Sequence, residues 1–322
     1  MITPKVSLII GNGFSINFNY YHDLHKNFNT SSPIYWEVKC PTSKGLLIES
    51  FPMLKRFQYL HCDKLDFEVF NLILDLDACK KANLDQYKLL IEARHFLSLA
   101  FSHYSKAQRK KIKQSWPWFR WIKSHLNLIT SISSFNYDLL IETMIKEMRF
   151  PFYSLPTQRP EKLLIVKPHG SCDYESAIPL LVGPKRGYPL IDLWADKNNL
   201  PLKRLRGGEL IQVRDNPFCI VPTEHNIYYN FHAFSPLINK FHYDLSHSDY
   251  CIFIGISYMH ADRVEIDEML SCLPPQCLVV IANPSPSKDF INKIEQLSLK
   301  YVVWDNPNGP VNHSGDLLSL TS

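Results

Sequence analysis

The sequence predicts an α/β protein built on a Rossmann-type, doubly wound, mostly parallel sheet, with a large helical insertion after the first strand. Three observations predict it. Short runs rich in β-branched residues are apolar at consecutive rather than alternate positions, as strands covered on both faces require. Helical periodicity follows several of these runs, which is the strand-helix alternation of a doubly wound sheet. A long stretch of helical character without strand signals separates the first run from the second.

In chain order, the first strand is expected at Val6–Ile10. Helical patterns then occupy residues 65–76, 87–104 and 108–126. The second strand is expected at 128–133, with a helix over 139–145, and the third strand at Leu163–Val166. From Ser171 to about Arg214 the chain is rich in Pro, Gly, Lys and Arg, which predicts loops and a small subdomain above the carboxyl edge of the sheet. Strands at 251–255 and Leu278–Ala282 are followed by helices over 264–273 and 290–297, the latter opened by Pro286 and Ser287. A last strand falls at 301–304. These readings divide the chain into a sheet domain, residues 1–19 and 126–322, and a helical insertion, residues 20–125.

The composition, 45% hydrophobic and 13% aromatic with 11 glycines in 322 residues, excludes collagen-like and broadly disordered classes. A formal charge of +4 is too mild to imply nucleic-acid binding. The eight cysteines form no CxxC pair, which favours free thiols over a metal site. No leader pattern and no membrane-length apolar run are present, so the expectation is a cytoplasmic protein that does not enter a membrane. The basic and aromatic stretch 109–121 reads as a solvated helix face whose tryptophans fill the core of the insertion.

Five strand ends carry the chemistry-bearing residues. Gly11-Asn12-Gly13-Phe14-Ser15 follows the first strand; the glycines permit a tight turn near a pyrophosphate, and the Ser15 hydroxyl and helix-terminal N–H groups suit its oxygens. A tight structural turn explains the same residues. After the second strand stand Asn136 and Asp138, where Asn136 offers an amide to a ribose or a water, and Asp138 either does similar work or caps the following helix. His169 follows the third strand, and its type suits a general base. Gly255, Ser257 and Asn283 end the next two. Each is separately a plausible turn; together they point to one nucleotide site.

The ordered set GNGFS, FNYD, HGS, GIS and ANP resembles the sirtuin-like superfamily, and Asp66-Phe67-Glu68 is similar to an acidic-aromatic element of its bacterial members. The resemblance implies NAD as substrate, with Gly11, Asn12, Gly13 and Ser15 at its phosphates, Gly255, Ser257 and Asn283 at the adenosine half, and Asn136, His169 and Asp138 as the catalytic set. The zinc ribbon of protein-deacylating sirtuins is absent, so no metal is implied, and the chain resembles instead the NAD-hydrolysing effectors of bacterial anti-phage defence. That implies an NAD glycohydrolase releasing nicotinamide and ADP-ribose, gated by a separately encoded partner, such as a nucleotide-sensing subunit or an ATPase, or by homo-oligomerisation. The competing expectations are a non-catalytic module binding NAD or ADP-ribose, and a protein ADP-ribosyltransferase or deacylase.

Overall fold

Strand β1 (Val6–Ile10) is buried at all five positions and sits in the middle of a seven-stranded sheet. The structure is a computed structural model that describes residues 3–26, 36–40, 44–64, 66–155, 162–177, 201–212, 214, 216–221 and 235–320. Beside β1 lie β2 (Ile129–Ser134), β4 (Leu163–Val166) and the short edge strand β3 (Phe152–Tyr153). On its other side lie β8 (Tyr250–Ile254), β9 (Leu278–Ala282) and β10 (Lys300–Trp304). The order is β10-β9-β8-β1-β2-β4-β3, and every pairing is parallel. The chain runs outward from β1 in one direction first, then crosses back to fill the other half, so the strand order reverses at β1. Open α/β sheets place ligands at such a reversal, outside the strands' carboxyl ends.

Consecutive apolar residues along each strand serve two cores. Val6, Leu8, Ile10, Ile252, Ile254 and Val280 face one side, where they meet α1 (Asn12–Tyr21), α6 (Pro117–His125) and α7 (Leu140–Glu147). Ile9, Cys251, Phe253, Val279 and Ile281 face the other, under α8 (Ser235–Leu245), α9 (Arg263–Ser271) and α10 (Lys288–Gln296). Period-2 side-chain direction thus turns an unbroken apolar run into a sheet buried on both faces.

Between α1 and α6 come α2 (Pro52–Leu60), α3 (Asp66–Leu72), α4 (Leu76–Lys81) and the 24-residue α5 (Gln86–Arg109). Asp75 and Asp85 start α4 and α5 by accepting two backbone N–H groups each. These helices have their own core, which includes Phe51, Phe57, Phe70, Phe96 and Leu97. The Asp66-Phe67-Glu68 element lies on α3; the side chains of its first two residues are outside the described set.

Two expectations change. Trp116, Trp118 and Trp121 cover the main sheet instead of filling the core of α2 to α5: Trp116 lies 5.0 Å from Phe14 and from Phe18, and Trp121 lies 5.6 Å from Trp304. The reason is connectivity. Pro117 opens α6, the helix that leads into β2, and its apolar stripe has to cover the sheet it enters. The stretch from Ser171 contains an antiparallel sheet, β6 (Leu202–Arg204), β5 (Gly170–Ser176) and β7 (Pro217–Cys219) in that order, while residues 178–200 lie outside the described set. Its polar strand β5 is buried because Arg204 pairs with Asp173 at 2.6 Å and α5 donates Ser98 and Ser102 hydroxyls to the Cys172 carbonyl. Among the described residues, no helix is long and apolar enough to cross a membrane.

Candidate functional site

Register sets the stage. Ile10 pairs with Ser134 on one side and Ile254 on the other, and Ile254 pairs with Ala282. Gly11, Phe135, Gly255 and Asn283, each the next residue along, therefore start in one row at the carboxyl edge. The sequence-derived candidates thus share one edge, but they do different things there.

The glycines pack backbone on backbone. Gly11 N–H donates to the Ile254 carbonyl (2.8 Å), and Gly13 N–H donates to the Gly255 carbonyl (2.9 Å). A Cβ on Gly13 would stand 2.6 Å from Gly255 Cα; one on Gly255, whose φ is +60°, would stand 2.4 Å from Gly13 Cα. Glycine is required here by the close approach of two loops, which is the structural reading of the motif. Asn12 occupies the first turn of α1 and is half-buried.

Ser15, Asn136 and Asp138 form one buried chain. Ser15 Oγ donates to Asp138 Oδ2 at 2.6 Å, so it must accept from Asn136 Nδ2, 3.2 Å away. The second Nδ2 proton goes to the Gly11 carbonyl at 3.0 Å. Both amide protons are then engaged, and the carboxamide Oδ1 is the acceptor left to meet a ligand. Asp138 Oδ1 accepts from Leu140 N–H at 3.0 Å, in the first turn of α7. Of the two readings of Asp138, capping is the one seen, and its second oxygen acts on Ser15. Ser15, fully buried, links these two residues; its hydroxyl is not presented to a phosphate. Lys167, also buried, donates to the Asp138 carbonyl and lies 3.3 Å from Glu142 Oε1. Burial pushes the Glu142 carboxyl up and Lys167 pulls it back.

His169 stands on the turn between β4 and β5. Phe135 meets its ring edge-on at 5.1 Å and Tyr137 lies at 6.2 Å. It is 5% exposed, and burial holds its pKa down to about 4. Its Nε2 faces Asp262 Oδ1 at 3.6 Å, beyond hydrogen-bond distance. Asp262 comes from the 3-10 turn His260–Asp262 before α9, and burial, with Glu265 second, pushes its carboxyl up to about 7. Sequence reasoning missed Asp262, since nothing in a loop carboxylate 93 positions after His169 signals their contact.

Ser257 is exposed at the same edge. Asn283 donates Nδ2 to the Ile256 carbonyl (2.9 Å) and accepts from Ser285 N–H (3.0 Å), so it ties the β9 loop to the β8 loop. Among the described residues, no group of three or more His, Cys, Asp or Glu side chains is placed to hold a metal, and the eight cysteines are free.

Fold and edge together define a doubly wound α/β protein whose polar strand ends gather at its strand-order reversal. Solved structures that it resembles include a Sir2 homologue in complex with NAD, at 9% identity and a TM-score of 0.41, over 94% of this chain and 85% of that one. A serine-to-alanine variant of a Sir2 homologue in complex with ADP ribose gives 10% identity and a TM-score of 0.40, over 94% and 87%. No protein-family model and no curated protein matches the chain.

Proposed function

We propose that this chain is an NAD glycohydrolase, cleaving the nicotinamide-ribose bond to give nicotinamide and ADP-ribose. Within the same reading it is an NAD-depleting effector of bacterial anti-phage defence, held in check by a partner protein or by oligomerisation. The observation that carries the reaction is the placing of Asn136 and His169 at one carboxyl edge, each three residues beyond the paired Ser133 and Val166, with the Asn136 amide turned by Ser15 so that its oxygen is the free acceptor.

The chemistry needs few parts. The C1′–N bond of NAD breaks with its electron pair moving into the pyridinium ring, which leaves as neutral nicotinamide without protonation. The ribose becomes oxocarbenium-like. Asn136 Oδ1 accepts a hydrogen bond from a water and orients it toward C1′. As the new C1′–O bond forms, the water's proton passes to His169, whose imidazole burial keeps neutral. Asp138 acts through Ser15 as a positioning residue. The Phe135 and Tyr137 rings beside His169 limit water around the cation.

Nicotinamide release from NAD by the purified chain, alone and with the product of a neighbouring gene, tests the proposal. Asn136→Ala and His169→Ala should each lower kcat by about a hundredfold or more. A folded protein that binds NAD and releases no nicotinamide under any of these conditions is a non-catalytic binding module instead, and turnover of acylated peptide would mark a deacylase.

A further inference from the structure

We infer that Asp262 is the positioning residue of His169: it holds the imidazole with its proton on Nε2, facing the carboxylate, and leaves Nδ1 as the base that meets the water. The proposal rests on the NAD-cleaving reading for its chemistry and on geometry for the pairing. Nε2 is buried, has no hydrogen-bond partner, and points at Asp262 Oδ1 3.6 Å away, a separation that a small shift of the 3-10 turn closes. The two residues come from opposite sides of the sheet's reversal, His169 after β4 and Asp262 after β8.

The charged groups around the pair are consistent with this use. Arg263, the adjacent cation, is turned away, 4.8 Å over the Tyr258 ring and 3.2 Å from Asp289, and so is engaged elsewhere than on Asp262. From α9, Glu265 repels the Asp262 carboxylate. His260 shares the 3-10 turn. From the β2 end, the Tyr137 phenol is pushed well above its ordinary range by burial and donates to the Ile220 carbonyl, so it contributes no charge. An imidazolium formed on His169 during the reaction therefore finds its counter-charge in Asp262. Above about pH 7, where the Asp262 carboxyl is ionised, the neutral imidazole that takes the water's proton becomes an imidazolium facing a carboxylate.

The test reads the imidazole directly and does not depend on turnover. The His169 ring resonance, assigned with His169→Gln, is titrated by NMR in the full-length wild-type chain and in Asp262→Asn, Asp262→Ser and Asp262→Glu. The neutral replacements should lower the proton affinity of His169 at least about tenfold, and glutamate should restore part of it. Where nicotinamide release is measurable, Asp262→Asn should lower kcat about tenfold or more with KM little changed, and move the acid limb of the kcat profile to lower pH. An unchanged His169 titration in both neutral variants, each folded by circular dichroism, overturns the pairing. A shifted titration in a chain that never releases nicotinamide supports the pairing and sinks the glycohydrolase reading instead.

Discussion

Replacing Gly255 with alanine forces two loops apart, and the cost follows from the geometry. The new Cβ would stand 2.4 Å from Gly13 Cα, 2.6 Å from Gly13 C and 2.6 Å from Phe14 N. All three are backbone atoms, so no side-chain rotation relieves the overlap. The residue also keeps a φ of +60°, where an L side chain costs about 1–2 kcal/mol. Overpacking adds roughly 1–3 kcal/mol, giving a total of about 2–5 kcal/mol, a large share of the roughly 5–15 kcal/mol that folded domains possess. Gly207 supplies the control: its φ is +56° and a Cβ there meets nothing within 4 Å, so Gly207→Ala isolates the backbone term. Urea unfolding of both variants gives the difference. If Gly255→Ala costs no more than Gly207→Ala, the contact between the β1 and β8 loops is not what requires the glycine.

Two further outcomes are expected. Ser15→Ala leaves Asp138 Oδ2 with only the distant Gln108 amide at 3.5 Å and releases the Asn136 amide; stability should fall by about 1–3 kcal/mol in chemical unfolding, and nicotinamide release should fall about tenfold or more, whereas release at the wild-type rate would show that the amide does not need Ser15. His22 is 6% exposed beside Phe18 and Trp116, and burial, with Lys113 and Lys111, depresses its pKa to about 4. The unfolded chain takes up that proton near pH 6.5 and the native one only near 4, so stability should drop as pH falls through this window, by up to about 3 kcal/mol from this residue. His22→Phe should flatten the dependence, and equal slopes in the two proteins would refute the assignment.

The central strands were legible because both faces are covered, so β8 and β9 appear in the sequence as unbroken apolar runs and β1 as one interrupted only by Ser7. Strand β5 was not legible. Its Asp173 and Glu175 look like loop residues until Arg204 and Lys203, about thirty positions later, are folded beside them. Strand β3, two residues long, carries too little pattern to be seen. Asn136 and His169 could be placed at the carboxyl edge because strand ends announce themselves. The direction of the Asn136 amide and the facing of His169 by Asp262 could not, since both depend on which hydrogen-bonding partners the tertiary fold delivers.

The backbone bonds along the carboxyl edge also bear on how the protein moves. Gly11 to Ile254, Gly13 to Gly255, Gly255 to Ala282 and the Asn283 side chain to Ile256 join the ends of three adjacent strands, side by side, with almost no side-chain bulk between them. Such a seam has no slack to give: sliding one loop past another breaks several bonds at once, and there is no rotamer to absorb the strain. The seam therefore acts as a fixed anvil at the carboxyl edge of the sheet. Amide protons of Gly13 and Gly255 should accordingly be among the slowest to exchange outside the strands, with or without ligand.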